Sequence, residues 1–191
     1  MADLKKKIES NAAVVGVLGL GYVGLPLALE FARKGLRVRG FDVDAARVRA
    51  LRSGRSYIGD VASSLLKEQT AAGRFRAENG FDAVSGCDAL IICVPTPLRK
   101  TKEPDVSYIL SASSEVVPRL AKGRLVVLES TTYPGTTREL VLPLFEKRGM
   151  KAGKDFFLAF SPERVDPSNP RYRIANTPKV VGGITPACGR L

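Results

Sequence analysis

Val14-Val15-Gly16-Val17-Leu18-Gly19-Leu20-Gly21-Tyr22-Val23-Gly24-Leu25-Pro26 is the stretch on which the fold of this chain turns. The apolar run 13–18 (AVVGVL) has the length and composition of a buried strand. Beyond the turn, residues 23–34 put Leu25, Leu29 and Ala32 on one helical face. Between them Gly19, Gly21 and Gly24 form a G-x-G-x-x-G turn. Gly19 allows the tight bend, Gly21 lets the backbone approach a pyrophosphate, and Gly24 lets the helix pack close to the sheet. The helix start, with Tyr22 and Val23 leading into it, offers unpaired amides and a partial positive charge to phosphates. Pro26 suits the first turn, where its missing amide has no intrahelical partner to lose.

Working outward, residues 37–42 (RVRGFD) alternate as a second strand that ends in Asp42, 18 positions after Gly24. A carboxylate there accepts hydrogen bonds from an adenosine ribose and repels a 2′-phosphate, which favours NAD over NADP. Arg47 admits two readings, a partner for a phosphate or a cover for the adenine. A plain glycine turn with a surface aspartate is the bland alternative.

The rest of the chain alternates in the same way. Helical spacing is expected over 45–53, 61–72, 107–120 and 136–148, with strands over 89–94, 125–128, 156–160 and 179–181. Strands separated by helices of this length imply right-handed crossovers. The expected class is α/β, a doubly wound, mostly parallel sheet of Rossmann type, with residues 1–191 as one dinucleotide-binding domain. Residues 161–178 are proline-rich and read as a long ordered loop.

Composition narrows the chemistry. Of 191 residues, 45% are hydrophobic and 26% charged, ordinary for a globular chain. No apolar run approaches the ~20 residues that span a bilayer, so no membrane partner is expected. Lys5, Lys6 and Lys7 read as a solvated lead-in to the first strand. With no histidine and three widely spaced cysteines, Cys87, Cys93 and Cys188, neither a metal centre nor a Ser-His-Asp triad is expected. The cysteines point to a reducing, cytoplasmic setting. The net charge of +11 comes from dispersed basic residues without aromatic interleaving, so a nucleic-acid partner is not expected. A phosphorylated ligand or an acidic companion segment accounts for the charge equally well.

Three further clusters follow strand ends, where ligands collect in open α/β sheets. Val94-Pro95-Thr96-Pro97 is either a stiff turn or a wall that offers the Thr96 hydroxyl to a cofactor. In Glu129-Ser130-Thr131-Thr132-Tyr133-Pro134-Gly135-Thr136-Thr137, helix capping explains Thr136 but not Ser130, Thr131 and Thr132. One of these threonines is a candidate to position water or cofactor. Ser161-Pro162-Glu163-Arg164-Val165-Asp166-Pro167 reads as a structural ion pair, or as Glu163 for proton transfer beside Arg164 for an anion.

Taken together, GLGYVGLP, FDVD, CVPTP, ESTTYPGTT and SPERVDP resemble the UDP-glucose and UDP-N-acetylhexosamine dehydrogenase family over nearly the whole chain. The resemblance implies oxidation of a sugar C6 alcohol to a carboxylate by two hydride transfers to NAD, through a cysteine-bound thioester. It assigns Gly19, Gly21, Tyr22, Val23, Gly24, Asp42, Arg47, Val94, Pro95, Thr96 and Thr132 to NAD, with Thr132 also near the reacting centre. Glu163 matches the glutamate that activates the hydrolytic water and is a candidate substrate contact, and Arg164 and Val165 match substrate-contacting positions in the N-acetylmannosamine branch of the family. Pro167 stands where UDP-glucose enzymes often carry a second glutamate, which favours an N-acetylhexosamine, UDP-N-acetylglucosamine foremost, with UDP-glucose and UDP-N-acetylmannosamine as alternatives. The family's nucleophilic cysteine, its lysine, its central helix and its UDP-sugar-binding domain belong to later segments, so residues 1–191 are expected to bind NAD without turnover. Full-length members are expected to be homo-oligomers. Two rivals share the glycine turn: a non-catalytic NAD-binding module, which has no need of SPERVDP, and a 6-phosphogluconate or hydroxyacid dehydrogenase relative, which should lack ESTTYPGTT.

Overall fold

The computed structural model describes residues 1–100, 102–164, 171 and 174–191. Strands β1 (Val14–Leu18), β2 (Arg37–Asp42), β3 (Phe75–Asn79), β4 (Ala89–Ile92), β5 (Leu125–Leu128), β6 (Phe157–Phe160) and β7 (Gly182–Gly183) form one sheet. Their order is β3-β2-β1-β4-β5-β6-β7. The first six run parallel and β7 pairs antiparallel with β6, so the sheet is doubly wound and mostly parallel, with its order reversing between β1 and β4.

The α-helices are α1 (Ala2–Glu9), α2 (Gly24–Arg33), α3 (Ala45–Arg52), α4 (Ser63–Ala71), α5 (Ser107–Val116), α6 (Leu142–Glu146) and α7 (Pro186–Gly189). Side-chain alternation along the strands divides the core in two. Leu90 and Ile92 of β4 pack with Ile109 and Val116 of α5 and Phe145 of α6 on one face. Ile91 and Cys93 pack with Leu25 and Leu29 of α2 and Leu66 of α4 on the other. Strands buried on both sides are continuous hydrophobic runs, which is why ALII was legible as central.

Several expectations need correction. The lysine-rich start is a helix, α1, and only Lys5 and Lys6 of its three lysines are exposed. Lys7 instead reaches Asp88 at 3.1 Å, while Leu4 is buried with Phe157 and Cys188. Strand β3 was not anticipated; it lies at the sheet edge with only Phe75 and Ala77 buried. The last strand is Gly182–Gly183 rather than 179–181, where Val180 and Val181 are exposed. The segment expected as one helix over 136–148 starts as a π-helix, Thr136–Val141, and becomes α only at Leu142.

Candidate cofactor and active site

The carboxyl ends of the parallel strands border an open cleft of about 600 Å³. Its lining runs from Asp42 and Arg47, past Gly19, Gly21, Tyr22 and Val23, to Val94, Pro95 and Thr96, and ends at Glu129, Ser130, Thr131 and Glu163. It straddles the point between β1 and β4 where the strand order reverses.

At the glycine turn, Gly19 has φ +90°, and a Cβ there would run into the Cys93 carbonyl. A Cβ on Gly24 would meet the Gly19 carbonyl, so turn and helix pack at backbone contact. Gly24 therefore shapes the turn from behind and is not itself among the cleft-lining residues. Gly21 differs: a Cβ there would meet nothing within 4 Å, so its bare backbone faces open space in the cleft. Helix α2 has no side-chain N-cap and no acidic residue in its first turn. Helix α3, by contrast, is capped by Asp44, which accepts from the Ala46 and Arg47 amides. An uncapped helix start beside a bare glycine fits a pyrophosphate, because a carboxylate cap would compete for the same amides.

Asp42 is 6% exposed. Its Oδ2 accepts the Leu20 amide and its Oδ1 the Asp44 amide, each at 2.9 Å. An ionised carboxylate has about four acceptor sites, so two bonds leave capacity for ribose hydroxyls. Arg47 lies 3.8 Å from Asp42 Oδ2 and 3.6 Å from Asp44 Oδ2, with its guanidinium 5.7 Å above the Tyr57 ring centre. The Tyr57 hydroxyl donates to the Leu20 carbonyl at 2.6 Å, and burial, with the Asp42 charge, pushes its phenol up to about 12. Tyr57 thus braces the turn from a loop that carried no sequence signal.

At the other end, the Ser130 hydroxyl donates to the Val94 carbonyl at 2.9 Å, joining the VPTP wall to the strand-β5 loop. The Thr136 hydroxyl donates to the Tyr133 carbonyl at 2.9 Å, so the 2.8 Å contact between the Thr132 and Thr136 hydroxyls uses the Thr132 proton. Thr131 lines the cleft; Thr132 is half-buried and is not among the lining residues. Glu163 lines the cleft and accepts the Arg164 amide at 2.7 Å, while the Arg164 side chain is exposed. Val165 lies outside the described residues. Tyr108, Ser111 and Ala112 of α5 also line the cleft, at the i, i+3, i+4 spacing of one helical face. That spacing was visible in the sequence, but nothing there said the face would meet a cleft.

All three thiols are buried. Burial pushes Cys93 up to about 12, the nearby Glu163 charge adding to it and Lys179 opposing it; burial likewise raises Cys87 to about 12. Neither is poised as a nucleophile at neutral pH. Among the described residues no cluster of His, Cys, Asp or Glu could hold a metal ion, and no helix is long and apolar enough to cross a membrane.

The chain is 39% identical to a UDP-N-acetyl-D-glucosamine 6-dehydrogenase of Pseudomonas aeruginosa, over 93% of its own length and 41% of the relative's. It is 34% identical to a UDP-N-acetyl-D-mannosamine dehydrogenase of Pyrococcus horikoshii, over 93% of this chain and 42% of that one. Among solved structures, an NDP-N-acetyl-D-galactosaminuronic acid dehydrogenase from Methanosarcina mazei superposes with a TM-score of 0.86 at 33% identity, covering 100% of this chain and 43% of that one. The chain therefore spans about two fifths of the length of the relatives it matches. Residues 13–191 match the NAD binding domain of the UDP-glucose/GDP-mannose dehydrogenase family, and the chain belongs to that family, with NAD as its cofactor.

Proposed function

We propose that residues 1–191 are the single NAD-binding domain of a dehydrogenase that oxidises the C6 alcohol of a UDP-N-acetylhexosamine to a uronic acid. UDP-N-acetylglucosamine is the first choice of sugar, supported by the names of the relatives at 39% and 38% identity and by Pro167 in place of a second glutamate. UDP-N-acetylmannosamine is the second, supported by relatives at 34–36% identity. The observation that carries the reading is one continuous cleft from Asp42 and Gly21 to Thr131 and Glu163.

When bound, NAD supplies the hydride acceptor. The chain's own residues bind and orient. The amides around Gly19, Gly21, Tyr22, Val23 and Gly24 hold the pyrophosphate, Asp42 accepts the adenosine ribose hydroxyls, and Arg47 flanks them. Val94, Pro95 and Thr96 wall the middle of the cleft. Thr132 stands near the reacting centre with its proton committed to Thr136, so its oxygen presents lone pairs and accepts. Glu163 takes a proton from the hydrolytic water, and Arg164 and Val165 contact the sugar nucleotide. The nucleophilic cysteine and most sugar contacts belong to the family's length outside these residues. The same reading makes the whole protein a cytoplasmic homo-oligomer that feeds polysaccharide synthesis.

Titration calorimetry with NAD and NADP tests the proposal. The expected result is saturable NAD binding, tighter than NADP; no heat of binding into the millimolar range overturns it.

A further inference from the structure

Glu129 follows β5 directly, its amide donating to the Ile92 carbonyl at 2.9 Å, so it stands at the carboxyl end of the sheet. Its side chain is 6% exposed and lines the cleft beside Ser130 and Thr131. Lys179, 50 positions later and just ahead of β7, places its ammonium on Glu129 Oε1. The lysine side chain is 23% exposed, and burial lowers its ammonium pKa. Cys93 and Glu163 line the same cleft as Glu129, and Lys179 reaches it through its contact with Glu129.

The cleft has two distinguishable ends. A dinucleotide with its adenosine ribose at Asp42 and its pyrophosphate at the Gly19–Gly24 turn must lay its second nucleoside toward β4, β5 and β6. The Glu129–Lys179 pair therefore lies at the nicotinamide end. Oxidised and reduced nicotinamide differ by one positive charge on the ring, so any net charge there separates the two affinities. An intact pair is neutral and each partner cancels the other.

We propose that Lys179 and Glu129 are specificity-determining residues, a matched ion pair whose mutual cancellation holds the balance of the cleft between oxidised and reduced NAD. The inference rests on the NAD reading above and adds the polarity of its nicotinamide end. Removing Glu129 leaves a cation that repels the oxidised ring; removing Lys179 leaves an anion that attracts it.

The test measures NAD and NADH affinities of the full chain at pH 8, by calorimetry and by NADH fluorescence, in Glu129→Gln, Lys179→Met, the double variant and Lys179→Arg. The ratio of the two affinities should shift about fivefold toward NADH in Glu129→Gln and about fivefold toward NAD in Lys179→Met. It should return to the unaltered value in the double variant and stay there in Lys179→Arg. Damage to packing alone weakens both cofactors alike. That pattern, or a shift of the same sign in both single variants, overturns the proposal. A chain that binds neither cofactor before any substitution refutes the NAD reading instead.

Discussion

The Leu20 amide donates to Asp42 Oδ2 at 2.9 Å, which ties the middle of the glycine turn after β1 to the carboxylate that ends β2. The two meet because β1 and β2 pair in parallel, Leu18 opposite Phe41, so the segments following each strand emerge side by side. The residue proposed to read the ribose is thus also one that shapes the glycine turn. Substitutions here act on binding and on fold together, and their effects have to be separated.

Asp42→Ala should weaken NAD binding about tenfold and reduce the preference for NAD over NADP, through loss of charge-assisted hydrogen bonds. It also strands the buried Leu20 amide, costing about 1–2 kcal/mol of stability in urea unfolding. An unchanged cofactor preference, with stability lowered, would remove Asp42 from the ribose site and leave it a structural tie.

Gly21 and Gly24 should separate binding from folding. Gly21→Ala puts a methyl into open cleft, so stability should change by less than about 1 kcal/mol while NAD affinity falls at least about tenfold. Gly24→Ala drives a methyl into the Gly19 carbonyl, where backbone has to move, and should cost about 2–4 kcal/mol. Equal behaviour of the two variants in unfolding and calorimetry would refute the assignment of Gly21 to the pyrophosphate.

Asp88, 5% exposed, anchors α1 to the amino ends of the strands, accepting from the Val14 amide at 2.9 Å, from Lys7 at 3.1 Å and from Arg124. Burial pushes its carboxyl upward, but the Val14 amide, Lys7 and Arg124 outweigh it and hold the pKa below the ordinary 3.8. With the folded value depressed, the stabilisation is complete above the unfolded value and is lost as pH falls through the folded one. Asp88→Asn should therefore be less stable by about 2–3 kcal/mol at pH 7. The gap should close as pH falls below about 4. A gap that stays constant from pH 7 to pH 3 would mean that the charge is not what stabilises this corner.

Thr132→Val should lower NAD affinity about fivefold, by loss of one accepting oxygen, and stability by about 1 kcal/mol, by loss of the Thr136 contact. Thr131→Val, at the lining position, is the comparison. If only the Thr131 variant loses affinity, the cofactor-facing threonine is one position earlier than the motif match assigns.

Much of this molecule was legible before its fold. The strand, turn and helix around Gly19–Gly24 are dictated within a few residues of themselves, by apolar period and by backbone freedom. Strand β3 escaped because FRAEN buries only Phe75 and Ala77 at a sheet edge, where Glu78 spends its charge on Arg39, Arg52 and Arg76. Helix α1 escaped because three lysines in a row read as solvated, whereas the buried carboxylate that recruits Lys7 lies 81 positions away.

By itself the sequence determined the fold class, the dinucleotide-binding character of the turn and the family, because glycine spacing and hydrophobic period are local properties of the chain. Only the tertiary structure decided that Thr131 lines the cleft and Thr132 does not, that Tyr57 braces the turn, and that Lys179 meets Glu129. These are meetings of side chains brought together by parallel strand pairing, and no spacing along the chain encodes the distance between groups on different crossovers.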